Sequence, residues 1–183
     1  MKAVIFVKRS ERFPGKHSVL VNGAGLTEGL AVKLENLDLF DDVVIFSKDS
    51  SFQSRHGRIV KDSSKGTIVN SVFEAISKFG DIFAFAGDMP DVCGDLVRSM
   101  VDSFIGDSIC PVSADGRIQP LHCIYSSDSL TAFMRYIETG GKSLHGFVES
   151  NAILIKVPAG KSNCFYNINY PEDLKKYRTS GNC

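Results

Sequence analysis

The sequence predicts an α/β protein with a three-layer, mostly parallel, Rossmann-like sheet. Short apolar runs alternate with helical patterns from end to end, which is typical of a parallel sheet covered by helices on both faces. The predicted strand at 2–7 is apolar from Ala3 onward and that at 82–86 is apolar throughout, as expected of strands buried on both sides. The chain has 183 residues, a length that suits one domain. We therefore expect a single domain over residues 1–183.

The first half of the chain predicts three strands and two helices. The second helix begins at Thr67 and ends at Gly80, because Val69, Val72 and Ile76 have the spacing of one helical face. The predicted elements are, in order, a strand at 2–7, a polar loop at 8–17, a helix at 25–37, a strand at 43–46, a short strand at 57–60 and a helix at 67–80.

The second half continues the alternation. Pairs of apolar residues recur every four positions between residues 92 and 105, which predicts a helix, and Pro171 is suited to begin another. The predicted elements are strands at 82–86 and 107–112, a strand at 117–125 interrupted by Pro120, a helix over 130–137 that Gly140-Gly141-Lys142 ends, strands at 152–157 and 164–168, and a short terminal helix.

The composition excludes several classes of function. The 21 basic and 21 acidic residues cancel, so no global charge attracts nucleic acid or an anionic membrane. The chain contains no apolar stretch near the ~20 residues needed to cross a bilayer. The first apolar run, residues 3–7, is too short for a signal-peptide core. We expect a cytoplasmic protein without nucleic-acid or membrane partners.

The cysteines are odd in number and have no C-x-x-C spacing, which argues against a zinc or redox site. We expect reduced thiols without a chemical role. The five are Cys93, Cys110, Cys123, Cys164 and Cys183.

A basic loop follows the first predicted strand. In open α/β sheets, ligands bind beyond the carboxyl ends of the strands. Lys8, Arg9, Arg12 and Lys16 lie within nine residues there, beside Pro14-Gly15. Arg can hold phosphate oxygens bidentately and Lys adds a mobile charge, so the loop suits an anion. The alternative is a solvated basic loop without a ligand.

Two further loops carry polar groups to the same edge. Asp88 follows the strand at 82–86 directly, where a carboxylate facing phosphates would suit Mg2+; alternatively, it caps the next helix. Asn167 and Asn169 lie on one side of an extended segment before Pro171. Either Asn could face a ligand or metal, and Asn169 could instead cap the helix.

Taken in order, the motifs of the later chain resemble those of the MobA-like nucleotidyltransferases, whose type member joins GMP from GTP to molybdopterin. The matching segments are Gly87-Asp88-Met89-Pro90, Gln119-Pro120-Leu121, Gly141-Lys142-Ser143 and Asn167-Ile168-Asn169-Tyr170-Pro171-Glu172-Asp173, together with Asp62. The family has a sheet of the nucleotide-diphospho-sugar transferase type.

The first loop departs from that family. Phe6-Val7-Lys8-Arg9 occupies the place of a glycine pair that lets backbone amides approach the nucleotide. The stretch Arg12-Phe13-Pro14-Gly15-Lys16 resembles instead the R-x-P-G-K loop of sugar-acid cytidylyltransferases, which share the fold. Base preference therefore stays open between guanine and cytosine, and an inactive nucleotide-binding homologue is a third alternative.

The resemblance implies a Mg2+-dependent enzyme that transfers a nucleotide from a nucleoside triphosphate, with GTP favoured, to a phosphorylated acceptor. Its oligomeric state is open between a monomer and a small homo-oligomer. The implied catalytic residues are Arg12, Lys16 and Asp88; the nucleotide contacts are Arg9, Ser10, Gly15 and Asp62; the acceptor contacts are Pro120, Leu121, Lys142, Asn167 and Asn169; and the metal ligands are Asp88 and Asn169.

Overall fold

A seven-stranded sheet forms the centre of the computed structural model, which describes residues 1–179. The strand order is β5-β4-β1-β6-β8-β7-β9, and β8 alone of these seven runs against its neighbours. The strands are β1 (Lys2–Val7), β2 (Leu20–Val21), β3 (Ala24–Gly25), β4 (Val43–Ser47), β5 (Arg58–Lys61), β6 (Ile82–Ala86), β7 (Ile109–Val112), β8 (His122–Tyr125) and β9 (Ile153–Lys156). The short strands β2 and β3 pair separately as a hairpin.

Helices cover both faces of the sheet, which confirms the predicted three-layer architecture. They are α1 (Leu26–Glu35), α2 (Ile68–Phe79), α3 (Gly94–Asp102), α4 (Leu130–Glu138), α5 (Leu144–Asn151) and α6 (Pro171–Thr179). Val4 and Phe6 of β1 pack with α2, α4 and α5 on one face. Ala3, Ile5 and Val7 pack with α1 and α3 on the other, since successive strand residues point to opposite sides.

Most predicted elements are present, with bounds shifted by a few residues. The exception among the helices is α5, which the sequence did not predict. Only Leu144, Phe147 and Val148 of its eight residues are buried, so the helix presents a short apolar stripe. The chain leaves it directly into β9, which carries the predicted strand near 152–157.

Two strand predictions need correction. The predicted strand at 164–168 is wrong: Cys164 and Phe165 end a 3-10 segment, Ala159–Phe165, and are buried because they pack with Ala86, Met89 and Val157. The strand at 117–125 begins only at His122. Ile118 forms an isolated bridge to Val112, and Pro120 has no N–H to donate to a ladder.

The prediction that every cysteine is a reduced thiol is also wrong. Cys93 and Cys164 form a disulfide with a Cα–Cα distance of 5.4 Å, although 71 residues separate them along the chain. The bond joins the residue before α3 to the 3-10 segment. Cys110 and Cys123 are free and buried, as expected, whereas Cys183 lies outside the described residues. Within residues 1–179, every helix falls short of the length and apolarity that crossing a bilayer requires.

Candidate functional site

Two adjoining cavities open at the carboxyl ends of the central strands, and they share Ala86, Asp88 and Leu121. The larger cavity, of about 510 Å³, lies over β1, β4 and β6. The smaller, of about 270 Å³, lies beyond β8. The larger is lined by Phe6, Val7, Lys8, Lys16, His17, Phe46, Lys48, Asp62, Gly66, Thr67, Ile68, Ser71, Ala86, Gly87, Asp88 and Leu121. The smaller is lined by Ala86, Asp88, Met89, Gln119, Pro120, Leu121, Asn167 and Asn169.

Lys16 and Asp88 meet where the cavities join. The Lys16 ammonium donates to Asp88 Oδ2 at 2.6 Å and to the amide oxygen of Asn169 at 3.5 Å. Gly15, whose φ of 73° is left-handed, turns the chain into a short 3-10 turn that carries Lys16 inward. In sequence, Asp88 lies 72 residues and Asn169 lies 153 residues beyond Lys16, and the sheet topology brings the three groups together.

His17 lies immediately behind this ion pair and joins three segments. Its Nδ1 lies 2.9 Å from the Thr27 hydroxyl and 3.1 Å from the Gly87 carbonyl, and its Nε2 lies 3.0 Å from the Lys8 carbonyl. Thr27 also donates to the Gly87 carbonyl, at 2.6 Å. Burial lowers the pKa of His17 below its usual value, so the ring is neutral at pH 7.

The far end of the larger cavity carries Asp62 and Lys48. Asp62 is nearly buried, accepts the Ser64 N–H at 2.9 Å, and lies 3.9 Å from the Lys48 ammonium. Lys48 also donates to the Ser64 carbonyl at 2.9 Å. Lys48 is a site residue that the sequence patterns did not reveal, although it follows β4 directly. The rule that ligands bind at strand ends could have found it.

The smaller cavity contains four of the five residues that the resemblance assigned to the acceptor: Pro120, Leu121, Asn167 and Asn169. Asn167 Oδ1 is buried without a hydrogen-bond partner among the described residues. The N–H groups of Asn169 and Tyr170 donate to the Asp173 carboxylate. Asp173 therefore satisfies the start of α6, and the Asn169 side chain faces Lys16 rather than capping the helix.

Five predicted residues do not line either cavity. Arg12 donates to the Tyr170 hydroxyl at 3.2 Å, and Tyr170 follows Asn169 in the chain. Ser10 accepts the Phe13 N–H within the first loop, where Arg9 is exposed. Gly15 shapes that loop. Lys142 is exposed in the turn between α4 and α5.

The oxygens at the junction suit a hard cation. Asp88 Oδ2 and Asn169 Oδ1 both face one positive charge, that of Lys16. Within residues 1–179 no three His, Cys, Asp or Glu side chains cluster as a metal site. Mg2+ commonly takes one or two protein oxygens and completes its shell with phosphates and water. The residues present therefore fit Mg2+ bound together with a nucleotide.

Comparisons with known proteins agree with this geometry. A family model described as the MobA-like NTP transferase domain matches residues 8–152. A Thermococcus sibiricus protein named "Probable molybdenum cofactor guanylyltransferase" is 30% identical over 181 residues, which cover 93% of each chain. The Thermococcus kodakarensis protein of the same name is 28% identical, covering 95% of this chain and 92% of its own. Molybdopterin-guanine dinucleotide biosynthesis protein A of Archaeoglobus fulgidus shares the fold, with a TM-score of 0.75, 21% identity and 98% of both chains covered.

Proposed function

The chain belongs to the family of MobA-like NTP transferase domains, and from this premise we propose that it transfers GMP from GTP to a phosphorylated acceptor such as molybdopterin, releasing pyrophosphate. One observation carries the proposal: two cavities meet at a single carboxylate, Asp88, which is paired with a lysine. Such a transfer needs two substrates side by side with the reacting phosphate between them.

The larger cavity suits the nucleotide. Its volume of about 510 Å³ accommodates a nucleoside, and Phe6 and Ile68 offer apolar surface to a base. Asp62 and Lys48 supply an acceptor and a donor at its far end. The triphosphate would then extend toward Lys16, with Arg9 and Arg12 near the rim. The smaller cavity, with Asn167 and Asn169, suits the acceptor.

The reaction is a displacement at phosphorus. An oxygen of the acceptor phosphate attacks the α-phosphorus, a new P–O bond forms, and the bond to the β-phosphate oxygen breaks as pyrophosphate leaves. Catalysis of this kind depends on positioning and on neutralising developing charge. Lys16 would hold the triphosphate and stabilise the leaving pyrophosphate, and Arg12 would assist from the rim. Asp88 and Asn169 would hold Mg2+, which when bound neutralises phosphate charge.

The test is a transfer assay with each of GTP, CTP, ATP and UTP, with Mg2+ and with molybdopterin or a sugar acid as acceptor. We expect pyrophosphate release with GTP and molybdopterin. Thermal shifts against the same four nucleotides report binding separately, since a ligand at ~100 times its dissociation constant adds about 2.7 kcal/mol to stability. Tight binding without transfer to any acceptor would identify an inactive nucleotide-binding homologue.

Cytidylyl transfer to a sugar acid is the second candidate. The observation that favours it is the Arg12-Phe13-Pro14-Gly15-Lys16 loop, which resembles that of the sugar-acid cytidylyltransferases. Pyrophosphate release with CTP and a sugar acid, and none with GTP, would select this candidate over guanylyl transfer.

A further inference from the structure

His17 is held by both loops that carry the reacting groups. Its Nε2 lies 3.0 Å from the Lys8 carbonyl of the first loop, and its Nδ1 lies 3.1 Å from the Gly87 carbonyl of the second. The neutral ring carries one N–H and therefore donates to one of these carbonyls at a time; the Thr27 hydroxyl, 2.9 Å from Nδ1, also links the ring to the Gly87 carbonyl. The ring is 8% exposed, so water competes little with these contacts. Thr27 of α1 reinforces the second contact from behind, because its hydroxyl contacts both the ring and the Gly87 carbonyl.

Each reacting group is one residue from an end of the contact between His17 and Gly87. Lys16 precedes His17, and Asp88 follows Gly87, so the ring spans the gap one residue away from the ion pair. A shift of the two loops relative to each other would directly change the distance between Lys16 and Asp88. Misplacement of reacting groups by 1 Å can cost about 100-fold in rate.

The first loop also needs an external support. Phe6-Val7-Lys8-Arg9 offers no glycine, and Lys8 itself is exposed. Contact with His17 fixes the Lys8 carbonyl and therefore the plane of the peptide that follows, since a peptide unit is planar.

We infer that His17 is a positioning residue, a cross-brace that sets the spacing between the first loop and the Asp88 loop and thereby the geometry of Lys16 and Asp88. This inference rests on the proposed function for its catalytic consequence. The brace itself does not depend on which nucleotide binds.

The experiment compares His17→Leu, His17→Gln and His17→Asn with the wild-type chain. The Leu variant removes both ring nitrogens, and with them the hydrogen bond to a loop carbonyl and the contact with the Thr27 hydroxyl. The Gln variant can place an amide nitrogen near the Nε2 position and the Asn variant near the Nδ1 position, so each can restore one contact. We expect kcat for nucleotide transfer to fall about 100-fold in His17→Leu, with the KM for the Mg-nucleotide changed less than threefold, and to recover at least tenfold in one of the amide variants.

His122→Leu is the matched control, because His122 is a fully buried histidine outside both cavities whose ring nitrogens have no hydrogen-bond partner among the described residues. Its activity should stay within twofold of wild type. A kcat for folded His17→Leu within threefold of wild type would overturn the inference, as would folded Gln and Asn variants that are no better than Leu. If His17→Leu does not fold, the two amide variants decide: at least one of them must lose at least threefold in kcat, and two variants that both stay within threefold of wild type would overturn the inference.

A readout without nucleotide separates the brace from the proposed function. In hydrogen–deuterium exchange on the whole chain, His17→Leu, or the more impaired amide variant, should exchange at least tenfold faster in residues 8–12 and 87–90 while β7 is unchanged. The His122→Leu control should not show this pattern. A wild-type chain that transfers no nucleotide would defeat the proposed function alone, whereas unchanged exchange in both segments would defeat the brace.

Discussion

The two cavities that meet at Asp88 are built differently. The larger lies on the ends of three strands, where Phe6 of β1, Phe46 of β4 and Ala86 of β6 are in parallel register, and is completed by the first turn of α2 and by the loops that follow the strands. The smaller is formed mainly by irregular segments around residues 88–89, 119–121 and 167–169. Noncovalent contacts of His17 hold the first. Behind the second, the Cys93–Cys164 disulfide packs with Met89, Val157 and Phe165.

The two constructions suit two different ligands: a triphosphate, whose geometry recurs, and an acceptor, whose shape varies. Strand ends are fixed by the hydrogen bonds of the sheet, which suits the recurring geometry of a triphosphate. Irregular segments can change length and shape without disturbing the sheet, which suits an acceptor. Such segments gain order from a covalent link, and here the disulfide joins two of the elements that carry them.

The largest expected effect is at the shared residue. Asp88→Ala should abolish Mg2+-dependent turnover and leave the fold intact, because Asp88 serves both cavities. Pyrophosphate release measures the loss, and circular dichroism checks the fold. Asp91→Asn is the control, since Asp91 lies three residues away, pairs with Lys33, and lines neither of the two cavities. Unchanged pyrophosphate release would remove Asp88 from the mechanism.

The second largest effect, a lower rate of transfer, is expected from Lys16 on the nucleotide side. Lys16→Ala should lower the rate on the order of 100-fold or more, because the leaving pyrophosphate loses its cation. Steady-state kinetics with saturating acceptor measure it. Lys33→Ala removes a lysine of α1 that contacts the Pro90 carbonyl and Asp91, just beyond Asp88, and should stay within threefold. A Lys16→Ala enzyme within a factor of three of wild type would contradict this role.

Breaking the disulfide should affect mainly the acceptor side. Replacing Cys93 and Cys164 with Ala should lower the free energy of unfolding by roughly 2–4 kcal/mol, as is typical for a disulfide that closes a long loop. It should raise the KM for the acceptor more than that for the nucleotide. Urea unfolding and two-substrate kinetics give these values. A dithiol should reproduce both effects in the wild-type chain and leave the double variant unchanged. Equal changes in the two KM values would contradict the expectation that the disulfide supports mainly the acceptor cavity.

A smaller effect, on the free energy of unfolding at acid pH, is expected from His122, which lies beneath the acceptor cavity. His122 packs against Phe165 with ring centroids 5.2 Å apart, and burial lowers the pKa of His122 to about 3. Between that pH and 6.5 the unfolded chain binds more protons than the folded one, so the stability falls as the pH falls. The shift corresponds to about 2 kcal/mol between pH 6.5 and 4.5. His122→Leu should remove most of this dependence in urea unfolding, and an unchanged dependence would contradict it.

The sequence predicted the central sheet well because buried parallel strands are continuous apolar runs, a signal that needs no tertiary information. It also predicted that Lys16 and Asp88 converge, since both follow central strands. That His17 bridges two loops left no trace in the sequence, because its partners are backbone carbonyls 9 and 70 residues away. The disulfide was missed for a similar reason, since its cysteines have no characteristic spacing.

The close packing around Gly87 limits what evolution or a designer can change there. A Cβ at this position would lie 2.9 Å from Val7 Cγ2, 3.0 Å from the Phe6 carbonyl oxygen and 3.2 Å from His17 Nδ1. Two of these three neighbours are parts of the structure that a small adjustment cannot move: a strand carbonyl and the bridging ring. Saturation of codon 87 should consequently return glycine alone among active clones.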